Sequence, residues 1–171
     1  MPPVEDDRVE LATWSSGRAA LAAARRMSLV GDRGGRVELD SVWIHLGRDA
    51  RPARIHDFGP YAEAAGCRVV STRLVLGEPP AASRRFPWPL RVTDVDLLGH
   101  VNNAAYWHAV EERLAQSELD PRRPLRARLD HRHPLDLGDD VELLEAAGDG
   151  TLALSFAVGG ETRAVSLVER L

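Results

Sequence analysis

The chain has 171 residues, of which 44% are hydrophobic and 28% charged, as in a globular protein with a sizeable core. A net charge of −4 with both signs interspersed excludes a basic nucleic-acid surface, and a single cysteine excludes an internal disulfide or a multi-cysteine metal site. There is no lysine, which excludes lysine-based Schiff-base chemistry. No run approaches the roughly 18 apolar residues of a membrane span, and the N-terminus lacks a signal-peptide pattern, so we expect a cytoplasmic protein.

The first 46 residues predict three strands, at about 7–14, 18–30 and 35–46. Turns are expected at Ser15-Ser16-Gly17 and across the glycine-rich residues 31–35. Residues 18–26 are rich in alanine, leucine and arginine, which by intrinsic propensity favour a helix. We nevertheless expect a strand, because tertiary context in a sheet often overrides propensity and because a later block of strands has a similar sequence.

Residues 47–85 connect this block to the rest of the chain. The first part, to Pro60, is turn-rich; residues 60–66 predict a short helix and residues 68–76 a strand, followed by a loop over 77–85 that contains Pro79 and Pro80. The next predicted strand, at 86–92, carries Pro87 and Pro89. Prolines at alternate positions leave one side of a strand without N–H donors, which predicts an edge position in the sheet.

Residues 94–106 read Asp-Val-Asp-Leu-Leu-Gly-His-Val-Asn-Asn-Ala-Ala-Tyr and are the most informative part of the sequence. They place two carboxylates, an imidazole and two amides just ahead of a helix predicted at about 102–117. Tyr106, Val110 and Leu114 give that helix an apolar face, and Asn102 and Asn103 are suitable N-cap residues. Because free N–H groups at a helix N-terminus can hold an anion, this arrangement favours hydrolysis or transfer of an acyl group.

The remaining residues predict a strand at 125–133 and three more at 139–147, 151–158 and 162–170. Hairpin turns are expected at Gly148-Asp149-Gly150 and Gly159-Gly160. The sequence at 139–143 parallels that at 7–11, and 162–167 resembles 34–39, so the last three strands form a weak repeat of the first three. Chance similarity between β-hairpins is the alternative explanation.

The run 94–106 resembles the signature of the hot-dog-fold thioesterases, above all the acyl-acyl carrier protein (acyl-ACP) thioesterases. Their pattern Asp-x-Asp-x-x-x-His-Val-Asn-Asn-x-x-Tyr is matched by Asp94, Asp96, His100, Val101, Asn102, Asn103 and Tyr106. The resemblance implies an α+β hot-dog fold, in which an antiparallel sheet wraps a long central helix. A capped helix with a buried histidine is the alternative, but such a cap requires neither of the two aspartates.

The acyl-ACP thioesterases are tandem hot-dogs, and residues 9–17 and 51–55 resemble the back half of their first repeat. The resemblance therefore implies an incomplete N-terminal repeat made of strands only (1–56), a linker (57–84) and a complete C-terminal repeat (85–171). We interpret the chain as an N-terminally short tandem hot-dog, arising from a late start codon or a truncation.

The expected reaction is hydrolysis of a fatty acyl thioester of ACP or coenzyme A (CoA), with no cofactor. Asp96 is the candidate general base, or the nucleophile of an acyl-enzyme anhydride. His100 could orient Asp96 or water, or donate to the thioester carbonyl, and Asn102 could act in catalysis or cap the helix. The N–H groups at 100–103 are candidate oxyanion donors. The candidate substrate-binding residues are Gly99, Val101, Asn103, Tyr106 and Trp107, of which the aromatic ones could equally be core residues.

Two departures from the plant enzymes bear on activity. Those enzymes place an asparagine where this sequence has Leu98, and a glutamate followed by a cysteine where it has Pro134 and Leu135. The sequence is closer to simpler acyl-CoA thioesterases, which rely on one carboxylate and helix amides. Asp130, His131 and His133 could supply a supporting base; the two histidines share a strand face but form only a weak metal-binding pattern, and we predict no metal.

Two other functions are compatible with the fold. The first is a hot-dog protein that binds acyl groups or a partner without turnover; the second is a 3-hydroxyacyl dehydratase or hydratase, which the Asn-Asn-x-x-Tyr pattern fits less well. Because a single repeat leaves sheet edges exposed, we expect a homodimer or a higher assembly. An arginine group formed by Arg84, Arg85 and Arg91 is a possible docking surface for the acidic carrier protein.

Overall fold

The computed structural model describes residues 2–49, 51–77, 81 and 84–171, which form two compact units, residues 1–73 and 74–171. The predicted loop at 77–85 lies partly outside the described residues, and Pro79 and Pro80 are among those not described. Within the described ranges, no helix is both long enough and apolar enough to span a bilayer.

The first unit contains an antiparallel sheet of three strands in the order β1-β2-β3. Strand β1 is Val9–Ala19, β2 is Ala22–Gly31 and β3 is Arg36–Ile44; a short helix α1, Tyr61–Ala65, follows. The strand expected at 18–26 is confirmed, except that a two-residue turn at Ala20 and Leu21 divides it. Cross-strand pairing on both sides of β2 stabilises the extended backbone there, despite the helix propensity of the sequence.

The turn expected at Ser15-Ser16-Gly17 is wrong, because β1 runs through these residues. The pairing with β2 shifts register between Ser15 and Gly17, which marks a β-bulge. A Cβ atom at Gly17 would lie 2.6 Å from Cγ1 of Val70. The glycine is therefore required for the close approach of the segment at 68–70, and not for a turn.

The strand expected at 68–76 is also wrong. In the first unit this stretch contributes an isolated parallel bridge between Val69 and Arg18. In the second unit, the backbone N–H groups of Val75 and Leu76 both donate to Oδ2 of Asp130, at 2.6 Å each. A side-chain carboxylate thus accepts the hydrogen bonds that backbone carbonyls of a neighbouring strand would have accepted. The alternation of polar and apolar residues in the sequence does not indicate such a partner.

The second unit contains helix α2 and an antiparallel sheet of five strands in the order β4-β6-β7-β8-β5. The bounds are Arg84–Pro87 for β4, Asn103–Ala115 for α2, Leu125–His131 for β5, Val141–Gly148 for β6, Thr151–Val158 for β7 and Glu161–Arg170 for β8. The predicted helix and the last four predicted strands are confirmed. The strand expected at 86–92 ends already at Pro87, but its predicted edge position is confirmed.

The core of the second unit lies between α2 and the sheet. Tyr106 and Val110 project from the helix and are 1% and 2% exposed; Leu152, Leu154 and Phe156 of β7 are completely buried. The rings of Tyr106 and Phe156 lie 5.0 Å apart in an edge-to-face arrangement. Each fully buried side chain of this size stabilises the fold by roughly 1.5–3 kcal/mol, so this contact holds the helix start in place.

A buried ion pair also joins α2 to the sheet. Nε of Arg113 in α2 lies 2.7 Å from Oε2 of Glu145 in β6, and both residues are more than 90% buried. The guanidinium also stacks over the ring of Phe86 in β4, 3.7 Å from its centroid. These contacts connect the C-terminal half of the helix to β4 and β6, while Tyr106 connects the N-terminal half to β7.

Candidate active site

The residues of the 94–106 run form a closed loop immediately before α2. Val95 and Val101 form an antiparallel bridge, and the backbone N–H of Asp96 donates to the carbonyl of His100 at 2.9 Å. The loop turns at Gly99, whose φ of +85° is strained for other residues. The structure thus brings Asp96 and His100 together as backbone partners across a tight turn.

Asp94 links the start of this loop to Arg91 and to the N-cap of α2. It is 3% exposed, and its carboxylate accepts hydrogen bonds from the backbone N–H and the guanidinium of Arg91. Its backbone carbonyl accepts from the N–H of Asn102 at 2.7 Å. The guanidinium of Arg91 holds the pKa of Asp94 below its usual range, so this residue is an ionised structural support.

Asp96 is half-buried, and Oδ1 of its carboxylate accepts the backbone N–H of Leu98 at 2.8 Å. This bond orients the carboxylate within the loop and leaves Oδ2 without a hydrogen-bond donor among the residues that the structure describes. A partly solvated carboxylate with one oxygen held can act chemically through the other.

His100 is paired with a residue far away in sequence. Its Nδ1 lies 2.6 Å from Oδ1 of Asp136. The backbones that carry the two side chains are themselves joined, because His100 and Asp136 form an antiparallel bridge and the N–H of Val101 donates to the carbonyl of Leu135 at 2.8 Å. Val101 and Leu135 are 5% and 0% exposed, so the backbone that carries His100 and Asp136 is attached to the hydrophobic core.

Asn102 is the N-cap of α2, since its side-chain oxygen accepts the N–H of Ala104 at 2.8 Å. The Ala105 N–H donates to the Asn102 carbonyl at 2.8 Å. Across the described part of the chain, no acceptor is found for the backbone N–H of His100 or Asn103. The Asn103 N–H lies at the positive end of the helix and the His100 N–H lies in the loop before it; both are candidate donors to an oxyanion.

The predicted substrate-binding residues lie in different environments. Val101 and Tyr106 are core residues, Trp107 is half-buried against the same core, and Asn103 is exposed. Burial raises the pKa of Tyr106 to about 12. A Cβ atom at Gly99 would meet nothing within 4 Å, so the space beside the turn is open. Of the five, Gly99 and Asn103 therefore adjoin open space in this structure.

Of the three residues that depart from the plant pattern, Leu98 and Pro134 lie at the surface. Leu97 and Leu98, at the tip of the loop, are fully exposed and 78% exposed respectively, and Pro134 is exposed. Leu135 instead packs in the core. At these positions no polar side chain is available beside Asp96 and His100.

The other candidate bases, which lie on β5 or just after it, make different contacts. The carboxylate of Asp130 binds the backbone at residues 75–76, and the ring of His131 lies edge-on against Tyr106, 4.6 Å between centroids. Burial lowers the pKa of His131, which favours its neutral form. His133 lies outside the strand, with Nε2 3.7 Å from Oε1 of Glu161. The described residues hold no cluster of three or more metal-ligating side chains.

Asp136 is the residue of this site that sequence reasoning did not single out. It lies 36 residues after His100, beyond a helix and a strand, so no local spacing connects the two. The only available signal was the polar turn at 136–139, where the N–H of Asp136 donates to Oδ2 of Asp139 and the N–H of Asp139 donates to the carbonyl of Asp136. That pattern predicts a turn, but it does not indicate that the turn contacts His100.

The 94–106 run lies within the part of the chain that matches a known family. The sequence model of the acyl-ACP thioesterase C-terminal domain matches residues 77–162, just over half of the chain. The chain belongs to the acyl-ACP thioesterase family. Its sequence is 32% identical over 161 residues to the uncharacterized protein Rv2001 of Mycobacterium tuberculosis, covering 92% of this chain and 64% of that protein. The chain therefore spans less than two thirds of the length of this relative.

Solved structures of the family share the fold. The 12:0-ACP thioesterase from Umbellularia californica superposes with a TM-score of 0.73 at 19% identity, covering 98% of this chain and 69% of that one. The acyl-ACP thioesterase from Bacteroides thetaiotaomicron gives a TM-score of 0.70 at 17% identity, covering 98% and 70%. The hot-dog architecture expected from the sequence is thus the fold of these neighbours.

Proposed function

We propose that this chain hydrolyses fatty acyl thioesters of ACP or CoA to free fatty acids. The observation that carries the proposal is the closed loop at 95–101. It holds a partly solvated carboxylate, Asp96, and an imidazole, His100, directly before a capped helix whose first N–H group, that of Asn103, has no acceptor among the described residues. Membership of the acyl-ACP thioesterase family supports the same chemistry.

In the proposed reaction, Asp96 acts on the thioester carbon, either through a water molecule or directly as a nucleophile. The direct route forms a mixed anhydride, which water then cleaves. As negative charge develops on the carbonyl oxygen, the N–H groups of His100 and Asn103 stabilise it. One such donor typically contributes a factor of about 10² to 10³ in rate. Asn102 supports this arrangement by capping the helix, and we retain it as a candidate catalytic residue.

The substrate is proposed to approach over Gly99, where the absence of a side chain leaves space beside the loop. We propose that Asn103 contacts the head of the acyl group and that Val101, Tyr106 and Trp107 form the apolar wall behind it. Because Val101 and Tyr106 are buried, they would act by shaping that wall, and direct contact with the acyl chain would require them to become accessible.

The carrier of the acyl group is proposed to be either ACP or CoA. Two structural neighbours are named as ACP thioesterases, and an acidic carrier protein would favour a basic docking surface. The structure weakens the prediction that the arginine group at 84, 85 and 91 is a docking surface for the acidic carrier protein. Each of the three lies within 4 Å of a carboxylate, from Glu145, Glu142 and Asp94 respectively, which offsets its charge.

We retain the proposed domain organisation, with an incomplete first repeat at 1–56, a linker at 57–84 and a complete second repeat at 85–171. It is supported by the three consecutive antiparallel strands in each half, β1–β3 and β6–β8. In the second half a helix and two further strands accompany this block, as a complete hot-dog repeat requires.

The decisive experiment is hydrolysis of acyl-ACP and acyl-CoA substrates of several chain lengths by the purified 171-residue chain and its Asp96→Asn variant. We expect the variant to lose about 10²-fold or more in kcat/KM, because the carboxylate is removed while its shape is kept. Asp149→Asn is the matched control, since it removes the same charge at the tip of the β6–β7 hairpin, where φ is 47°. Equal activity of wild type and Asp96→Asn would refute the proposed role.

A second candidate function is binding of acyl groups without turnover. The observation in its favour is that Leu98 and Pro134 are exposed apolar residues at the two positions where the plant enzymes carry polar ones. Under this alternative the folded wild type binds an acyl-CoA, measured by calorimetry, yet releases no free thiol above the Asp96→Asn background. Turnover that depends on Asp96 would exclude it.

A further inference from the structure

The pairing of His100 with Asp136 determines which ring nitrogen of His100 carries the proton. An ionised carboxylate can only accept hydrogen bonds, so the 2.6 Å contact between Nδ1 and Oδ1 requires the hydrogen on Nδ1. In the neutral imidazole, Nε2 then has a free lone pair. Within the described ranges no group is bonded to Nε2, and the His100 side chain is 49% exposed.

The contact is built into the backbone and is not a chance meeting of two exposed side chains. His100 and Asp136 are directly paired across an antiparallel bridge, whose neighbouring residues Val101 and Leu135 are buried. The Asp136 backbone is held in turn by two hydrogen bonds with Asp139, at 2.8 and 2.9 Å. Both side chains therefore begin from fixed positions, which lowers the entropic cost of keeping the pair formed.

We propose that Asp136 is a positioning residue for the thioester hydrolysis proposed above, and that it keeps His100 in the Nδ1–H form so that Nε2 accepts a proton from water. This inference rests on the proposed function and deepens it. It decides between the roles that the sequence left open for His100, because a neutral Nδ1–H imidazole cannot donate from Nε2 to the thioester carbonyl.

The proton transfer can be written completely. In the water route, the Asp96 carboxylate orients the water by accepting a hydrogen bond from one of its protons; the water adds its oxygen to the thioester carbon while its other proton passes to Nε2 of His100. The C–S bond then breaks, and the departing sulfur takes the proton from Nε2, which leaves a fatty acid and a thiol. If Asp96 has first formed an anhydride, the leaving group of the water step is the Asp96 carboxylate, and the proton passes to the thiolate released earlier.

The test combines nitrogen-15 NMR of the histidine side chains with kinetics. The signals of His100, one of six histidines, are assigned by their loss in a His100→Gln variant. We expect the neutral wild-type imidazole to show a protonated Nδ1 and a bare Nε2. In Asp136→Asn the amide can donate to Nδ1, so the balance should move toward the Nε2–H form, with kcat lowered about 10- to 100-fold and KM within about twofold.

Asp149→Asn is the matched control and should leave both the His100 signals and kcat unchanged. A neutral wild-type His100 protonated on Nε2 would by itself overturn the inference, and so would an unchanged tautomer of His100 in folded Asp136→Asn.

The tautomer measurement uses no substrate, so it separates this inference from the proposed function. If hydrolysis depends on Asp96 but the tautomer of His100 is the same in wild type and in Asp136→Asn, the proposed function stands and this inference fails. If the tautomer responds but the wild type hydrolyses nothing, Asp136 orients His100 and the proposed function fails.

Discussion

At the scale of single residues, the motif divides its two aspartates between different environments. Asp94 is buried and paired with Arg91, whereas Asp96, two positions later, is half-buried and its side chain is bonded, among the described residues, only to a backbone N–H. Two carboxylates of the same run are therefore suited to different tasks, one to support and one to chemistry. The difference follows from local structure, because Asp94 ends the 3₁₀ turn at 92–94 that Arg91 caps, whereas Asp96 begins the tight turn at 96–99.

The pairing of Asp94 makes stability depend on pH. Because its pKa in the folded protein is depressed, the stabilisation is present above the unfolded value of about 4 and is lost as the pH falls through the folded value. We expect Asp94→Asn to lower the free energy of unfolding at about pH 7 and to reduce its decline in acid. Urea unfolding at several pH values measures this.

The control for that series is Asp149→Asn, whose carboxylate lies at an exposed hairpin tip. It should leave the acid decline as in the wild type. An Asp94→Asn variant whose free energy of unfolding falls in acid as steeply as the wild-type value would contradict the assigned role of the Arg91 pair.

At the scale of elements, the start of α2 depends on one side chain. Asn102 satisfies the N–H of Ala104, whereas the adjacent Asn103 is exposed and makes no side-chain hydrogen bond within the described residues. Since the same helix start presents the proposed oxyanion donors, capping and chemistry depend on the same turn.

We expect Asn102→Ala to lower the free energy of unfolding by about 1 kcal/mol, the usual contribution of an N-cap side chain. Asn103→Ala, one residue later, is the matched control and should change it by no more than a few tenths of a kcal/mol. Chemical denaturation of both variants provides the comparison. A larger loss in Asn103→Ala than in Asn102→Ala would show that the cap is assigned to the wrong residue.

At the scale of the whole molecule, the described part of the first unit leaves an apolar face of its sheet exposed. Leu11, Leu29 and Val37 are aligned across β1, β2 and β3, and beside them Met27 is aligned with Leu39. Leu11 is 60% exposed and Leu39 is 39% exposed. A contiguous apolar face of this kind is characteristic of an interaction surface.

We therefore expect the purified chain to form a homodimer or a higher assembly, with a mass in sedimentation that is a multiple of 18.8 kDa. Leu11→Asp should weaken the association about tenfold or more, because it would bury an unpaired charge. Leu171→Asp is the control, since Leu171 is 67% exposed and lies at the C-terminus. A monodisperse wild-type monomer at high concentration would contradict this expectation.

Sequence alone was sufficient for the features that depend on local pattern. The four-residue spacing of Tyr106 and Val110 predicted α2, the glycine-rich segments at 148–150 and 159–160 predicted the turns of the last two hairpins, and the alternating prolines predicted an edge strand. Periodicity, capping and turn chemistry operate over a few residues, so they can be read along the chain. The density of the motif at 94–106 likewise identified the family from sequence alone.

Tertiary structure decided the features that depend on partners remote in sequence. The bulge at Gly17 follows from the approach of Val70, and the failed strand at 68–76 reflects the capture of its backbone by Asp130. Asp136 lies beside His100 because the backbone of Leu135 is hydrogen-bonded to that of Val101. Sequence determined the identity of the loop and its helix, because local chemistry suffices for both. Only the fold decided which carboxylate orients the histidine, because contact across 36 residues is set by packing and leaves no spacing to read.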